Sequence, residues 1–358
     1  IRYAKEIASL FLEDSAVILY CTDYLFIGYF SLIFVVISFA FQGFYAGLEH
    51  VRVHMVVTIT SNILNVYLNA GFIYGSEHIT QYFCKMGLPW IASLWNWAPF
   101  PALAVKGAAL ATLFASIFMV LHYTYFLFKK QTRKFRSIDY KFIFSNLLQQ
   151  VKLGFPISIS EVMLMIGFSV FYKIIGIIGT VELATSHVIL NIAHASFMPA
   201  IGVGMACATL IGKFMGENTL DKADKVVKEG IKWSLLIMGT MGFLFIFAPQ
   251  WIIPIFSSDP EIIRMGIPCL QIIGVLQYFD AVGITLFFVL TGAGNTRFPA
   301  IADMMIVWLI FLPVSYYFGI VMEMGVVGAW LGFAGWIVPL AVVMALKVRS
   351  GTWKQIEV

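Results

Sequence analysis

Phe256-Ser257-Ser258-Asp259, a long apolar run, and then Gly292-Ala293-Gly294-Asn295-Thr296-Arg297 form the second of two matching stretches. The first lies 245 positions earlier, at residues 11–52, and the two align without a gap. Phe11-Leu12-Glu13-Asp14 falls on residues 256–259, Gly47 on Gly292 and Arg52 on Arg297. Farther along, Val105-Lys106-Gly107-Ala108-Ala109-Leu110 answers Val326-Val327-Gly328-Ala329-Trp330-Leu331 at a spacing of 221. The spacing drops by 24 because the first copy carries an insertion, Ser76 to Leu103. Apolar matches inside apolar runs are cheap coincidences, but the Asp, Gly and Arg that punctuate the runs are not. The chain reads as two similar halves, and the space between such halves is the first pointer to function.

Composition sets the class. Apolar residues make up 60% of the chain and charged residues 12%, far from the balance of a soluble domain. A bilayer core asks for about 20 apolar residues per helical span. Runs of that kind lie near 14–48, 52–75, 105–128, 153–178, 183–212, 231–255, 262–293, 298–320 and 325–346, after a stub at 1–11. Several exceed one crossing and must tilt, kink or project beyond the headgroups. The net charge of +4 is modest, but its placement is informative. Lys129, Lys130, Arg133, Lys134, Arg136, Lys141 and Lys152 crowd one linker, and five more lysines lie in 213–232. With Arg52, Arg297, Lys347, Arg349 and Lys354 they share one side if the spans alternate direction, which puts the linker and the C-terminus in the cytoplasm. These basic runs are topology signals, and no nucleic-acid partner is expected. Cys21, Cys84, Cys207 and Cys269 are scattered, with neither metal spacing nor a disulfide framework.

The expected organisation is an N-lobe at 1–130, a cytoplasmic linker at 131–152, a C-lobe at 153–346 and a cytoplasmic tail at 347–358. The second half holds about six spans and the first only three complete ones. By the repeat spacing the first half would begin about 100 residues ahead of Ile1, so about two and a half N-terminal helices are expected to be missing. A six-span shift preserves direction, which makes the lobes parallel repeats about an axis along the membrane normal.

Three stretches resemble the multidrug and toxic compound extrusion (MATE) transporters. Gln42-Gly43-x-x-x-Gly47-x(4)-Arg52 is followed by Asn65-x-x-x-Asn69-x(4)-Tyr74-Gly75. Gly154-x-Pro156-x(4)-Glu161 is followed by His187-x-x-x-Asn191 and Pro199-x-x-Gly202, and the third stretch is Gly292-x-Gly294-Asn295-Thr296-Arg297. Their order and spacing carry the resemblance over almost the whole chain. It implies an all-α integral membrane fold, two pseudo-symmetric six-helix bundles that form a V-shaped cleft. It also implies export of organic cations in exchange for protons or sodium ions.

An ionisable side chain within a span costs about 2.5–3.5 kcal/mol on insertion scales unless it is paired or hydrated, so each one calls for a reason. Glu161 lies about nine residues into its span, roughly 13 Å deep, where desolvation penalises charge and suits the group to exchanging a proton. It matches the family's carboxylate on the first helix of the second lobe. Asp280 is the only charge between Arg264 and Arg297 and falls on the family's carboxylate of the fourth helix. Its repeat-mate is Val35, so it is not part of the shared scaffold. Asn295 stands where some relatives carry Asp. Asp303 reads equally as an Arg-paired or snorkelling anchor near the interface and as an added cation site. Asp23 is about nine residues into its span, and a tilted helix would leave it near the outer surface. In the first lobe, Asn65 and Asn69 share a helix face, and amide oxygens suit a hard cation. With Thr112, the resemblance makes them part of an ion site around an Asp on the first helix, with helix–helix hydrogen bonding as the alternative. His187 and His194, seven apart, read as packing histidines, Lys173 as a snorkelling lysine, and Pro156, Pro199 and Pro313 as kinks.

These readings converge on a secondary active efflux transporter working by alternating access. Glu161, Asp280, Asp303 and Asn295 are the candidate ion and substrate residues, and Asn65, Asn69 and Thr112 the first-lobe ion site. The expected setting is the plasma (inner) membrane, as a monomer among membrane lipids, with small organic cations as partners and no cofactor beyond the coupling ion. The alternative is a lipid-linked oligosaccharide flippase, which would line its cleft with cations for a pyrophosphate. The spans here hold almost none beyond Lys173. No paired-His metal motif, Gly-x-Ser-x-Gly or aspartyl dyad points to an enzyme, and a passive channel suits midplane carboxylates less well than alternating access.

Overall fold

A computed structural model of the chain describes residues 15–95, 99–129 and 144–355, with residues 15–17 by backbone only. Among them the structure is helical, with no strand, and nine helices are long and apolar enough to cross a membrane. The chain divides into two compact units, Ile1–Lys141 and Phe142–Val358. The stub at 1–11, the Phe11–Asp14 end of the repeat and the basic residues between 130 and 143 lie outside the described residues.

In the first unit the helices are α1 (Ser15–Gly47), α2 (Val51–Tyr74), α3 (Ser76–Lys85) and α4 (Ala104–Leu127). The insertion is α3 plus short turns at Pro89–Ala92 and Ser93–Trp95, and it folds back on the end of α2. Trp95 Nε1 donates to the Tyr67 carbonyl at 3.1 Å, and the Leu103 amide to the Phe72 carbonyl at 2.8 Å. At the other end of the unit, buried Tyr45 donates to the Tyr123 carbonyl at 3.0 Å and ties α1 to α4. Asp23 meets Lys106 at 3.1 Å, near the start of α4. That pair accounts for a carboxylate inside a span: it lies at a helix end, half in reach of water, where such a bridge is worth about 0–1 kcal/mol.

The second unit comprises α5 (Phe144–Ile178), α6 (Thr180–Gly216), α7 (Leu220–Phe247), α8 (Pro260–Gly292), α9 (Arg297–Val321) and α10 (Gly325–Arg349). Three boundaries differ markedly from the hydropathy reading. Helix α7 starts at Leu220 rather than 231, because the charged stretch 221–232 is helical although not apolar. It ends at Phe247 rather than 255, since Pro249 cannot donate into the helix and the chain breaks there. Helix α5 begins at Phe144, ahead of its apolar run. Within α9, π-helical turns at Val307–Phe311 and Tyr317–Val321 flank the turn that contains Pro313.

Helix α8 is the hub of this unit, packed on α6, α7 and α10. Its first turn is capped by Asp259, whose carboxylate accepts from the Glu261 amide at 2.8 Å. A second anchor is an aromatic core: Phe171 of α5, Phe311 of α9, and Trp330 and Phe333 of α10 are all buried within 6.0 Å ring spacings. Aromatic burial with edge-to-face contacts adds to the dispersion that drives helix association in lipid. Trp330 Nε1 also donates to Ser186 on α6 at 3.0 Å, satisfying a buried polar group.

The repeat reappears in the backbone. A Cβ on Gly107 would lie 2.2 Å from the Phe72 carbonyl oxygen, and one on Gly328 would lie 2.4 Å from that of Phe318. Each glycine lets the last helix of its unit close on the span before it. In the Gly-x-Gly turn, Gly292 permits α8 to approach the Ala208 backbone, where a Cβ would come within 2.5 Å. Gly294 supplies a φ of +81°, and its repeat-mate Glu49 takes the same left-handed region at +61°. Gly107→Val and Gly328→Val should therefore each destabilise the protein by about 1–3 kcal/mol or block folding, as overpacking does. Gly43→Ala, whose Cβ meets nothing within 4 Å, should be neutral. Thermal unfolding in detergent compares the three.

Candidate functional site

Three acidic residues of the second unit converge. Asp280 lies midway along α8 and is 8% exposed, and Asp303 on α9 is 7% exposed. Asp303 is within electrostatic range of both Asp280 and Glu161. Glu161, on α5, is exposed where the other two are buried. The close packing of α5 on α9 brings it near, with Gly167 against Val307 one turn beyond Asp303. Among the described residues none of the three forms an ion pair with Lys, Arg or His. Like charges in a low dielectric repel strongly, and protonation or a nearby cation relieves that repulsion.

Asp303 is fixed by a donor that the sequence reading did not single out. Trp336 Nε1, on α10, donates to its Oδ1 at 2.8 Å, and Ser160 faces the same carboxylate from α5. Asp303 is buried and among the described residues makes no ion pair with Arg297. Trp336 is held in turn by ring contacts with Phe168 and Phe311, each at 5.7 Å. One turn before Asp280, buried Gln277 donates to Ser196 of α6 at 2.7 Å, while its own carbonyl oxygen has no partner. A Trp and a Gln in apolar runs carry no sequence signal that separates them from packing residues.

Other candidates lie elsewhere. Asn295 sits half-buried in the turn between α8 and α9, its backbone N–H donating to the Leu290 carbonyl at 2.9 Å. Eight residues separate it from Asp303, so it stands at the helix end and not with the carboxylates. In the first unit Asn69 donates its side-chain amide to Asn65 Oδ1 at 2.9 Å, and the Thr112 hydroxyl donates to the Ala108 carbonyl at 3.0 Å. The asparagine pair thus engages the Asn65 amide oxygen internally. His187 stacks on Tyr172 with ring centroids 4.3 Å apart, a packing role. Among the described residues no group of three or more His, Cys, Asp or Glu is placed to hold a metal ion.

With this geometry in view, comparison with known proteins is specific. The family model MatE matches residues 1–70 and 156–317. A "Probable multidrug resistance protein NorM" of Thermotoga maritima is 30% identical over 88% of the chain and 63% of its own length. "Multidrug resistance protein MdtK" of Yersinia pseudotuberculosis is 24% identical over 85% and 63%. The chain thus spans less than two thirds of the length of these curated relatives. Solved structures share the fold: the eukaryotic MATE transporter AtDTX14 superposes with a TM-score of 0.81 at 18% identity, over 99% of this chain and 74% of that one. An outward-facing MATE family transporter gives 0.79 at 19% identity, over 99% and 75%. This multi-pass membrane chain belongs to the MatE family.

Proposed function

We propose that the protein is a secondary active efflux transporter that exports cationic or amphipathic organic compounds in exchange for protons or sodium ions. The observation that carries this reading is the convergence of Glu161, Asp280 and Asp303 from three helices with no basic partner among the described residues. A proton or sodium ion and an organic cation then compete for the same negative charge, and that competition couples one movement to the other. The names of the NorM and MdtK relatives support multidrug substrates. The two repeats, 1–130 and 153–346, serve as the lobes that alternate, and Asn65, Asn69 and Thr112 as a first-lobe ion site. The setting is the plasma membrane, with the linker and C-terminus cytoplasmic by the distribution of basic residues. A flippase for an anionic lipid-linked sugar finds no support, because carboxylates and not cations gather here.

The roles divide by position. Asp280 and Asp303, buried, hold the ion. Glu161, exposed beside them, is the group that meets both ion and substrate. Trp336 is a positioning residue that aims Asp303. In the complete protein reconstituted in proteoliposomes, Glu161→Gln and Asp280→Asn should abolish uptake of a fluorescent organic cation driven by a proton or sodium gradient, with insertion unchanged. Full transport in both variants would sink the assignment. Trp336→Phe removes a hydrogen bond to a charged group worth about 1.5 kcal/mol and should weaken the ion dependence about tenfold. An unchanged ion dependence would show that Trp336 does not position Asp303.

A further inference from the structure

The second unit holds a groove between α6 and α7, at its basic end. It has a volume of about 440 Å³ and lies between the last turns of α6 and the first turns of α7. Its floor is apolar, with Val203, Leu210 and Phe214 on α6 and Val226 and Trp233 on α7. Lys222 and Lys225 stand at its mouth. The helices are antiparallel, which sets Lys222 beside Phe214, its ammonium 5.5 Å from the ring. Trp233 lies eleven residues, or roughly 16 Å, along α7 from Lys222. The groove therefore has a charged end and an oily end.

Two of the carboxylates nearby have other partners. Asp224 is held by Lys354 at 2.7 Å, and Glu229, which also lines the groove, by Lys232 at 3.7 Å. Asp221 is adjacent in sequence and exposed. Lys222 and Lys225 form no ion pair among the described residues. Charge and depth suit one occupant. Arg297 at the start of α9 and Lys347 and Arg349 at the end of α10 mark the same end of the unit, which is the level of a membrane's headgroups.

We propose that this groove is a binding site for an anionic phospholipid, the phosphate held by Lys222 and Lys225 and an acyl chain laid along Val203, Leu210 and Trp233. None of Glu161, Asp280 and Asp303 lines the groove, and the proposal does not depend on the efflux reading. Lysines near an anionic headgroup strengthen binding about fivefold each, and the apolar floor adds a term that a soluble anion cannot use.

Trp233 is 52% exposed and so open to a quencher. The full chain in nanodiscs containing acyl-brominated phosphatidylglycerol is compared with its Trp233→Phe variant, so that the difference isolates the Trp233 signal. That signal should be quenched at a low mole fraction of brominated phosphatidylglycerol and require far more brominated phosphatidylcholine. Lys222→Gln with Lys225→Gln, both on the exposed face and compatible with folding, should raise the phosphatidylglycerol requirement about thirtyfold. Equal quenching by the two lipids, or no response to loss of the lysines, would overturn the proposal. So would full reversal by inorganic phosphate, which would mark an ion site rather than a lipid site.

Discussion

Everything in this fold hangs on how closely two helix backbones can approach. Apolar side chains gain little from leaving lipid for protein, so contact distance, not burial from water, decides helix association. Gly107 and Gly328 bring α4 and α10 against the carbonyls of the spans before them, at separations that no Cβ would fit. Gly242 and Gly274 do the same where α7 crosses α8, each within 2.8 Å of the other's carbonyl oxygen once a Cβ is placed. With α8 so tightly surrounded, Asp280 is buried midway along it.

Most of the fold was legible. Hydropathy located nine spans, and the repeat survived as matched backbone features: paired glycines, a left-handed residue at both 49 and 294, and an arginine opening α2 and α9. What hydropathy could not supply was the extent of α7, because a charged amphipathic turn is helical without being apolar. Proline at 249 gave a true stop that an apolar count passes over.

The site was legible in part. A carboxylate in a span is conspicuous because its cost demands a reason, so Glu161, Asp280 and Asp303 stood out. Their neighbours did not. Trp336, Ser160 and Gln277 belong to types common in membrane helices, and only the folded arrangement sets them beside an acid. Asp23 was conspicuous for the same reason, yet a lysine at the start of another helix accounts for it. Cost alone flags an acidic residue, and its partner decides what it is for.

The π-helical turns in α9 bear on how that helix must be read. Each takes one residue more than α geometry requires, so every side chain past it is turned by about 100° from its place on a helical wheel. Positions 310, 314 and 317, counted in threes and fours from Asp303, therefore do not continue the face that carries Asp303. A scanning experiment laid out on an ideal wheel would follow the cluster's stripe only as far as Val307. Beyond it, the stripe passes to different residues, and the map of contacts has to be drawn from the backbone itself.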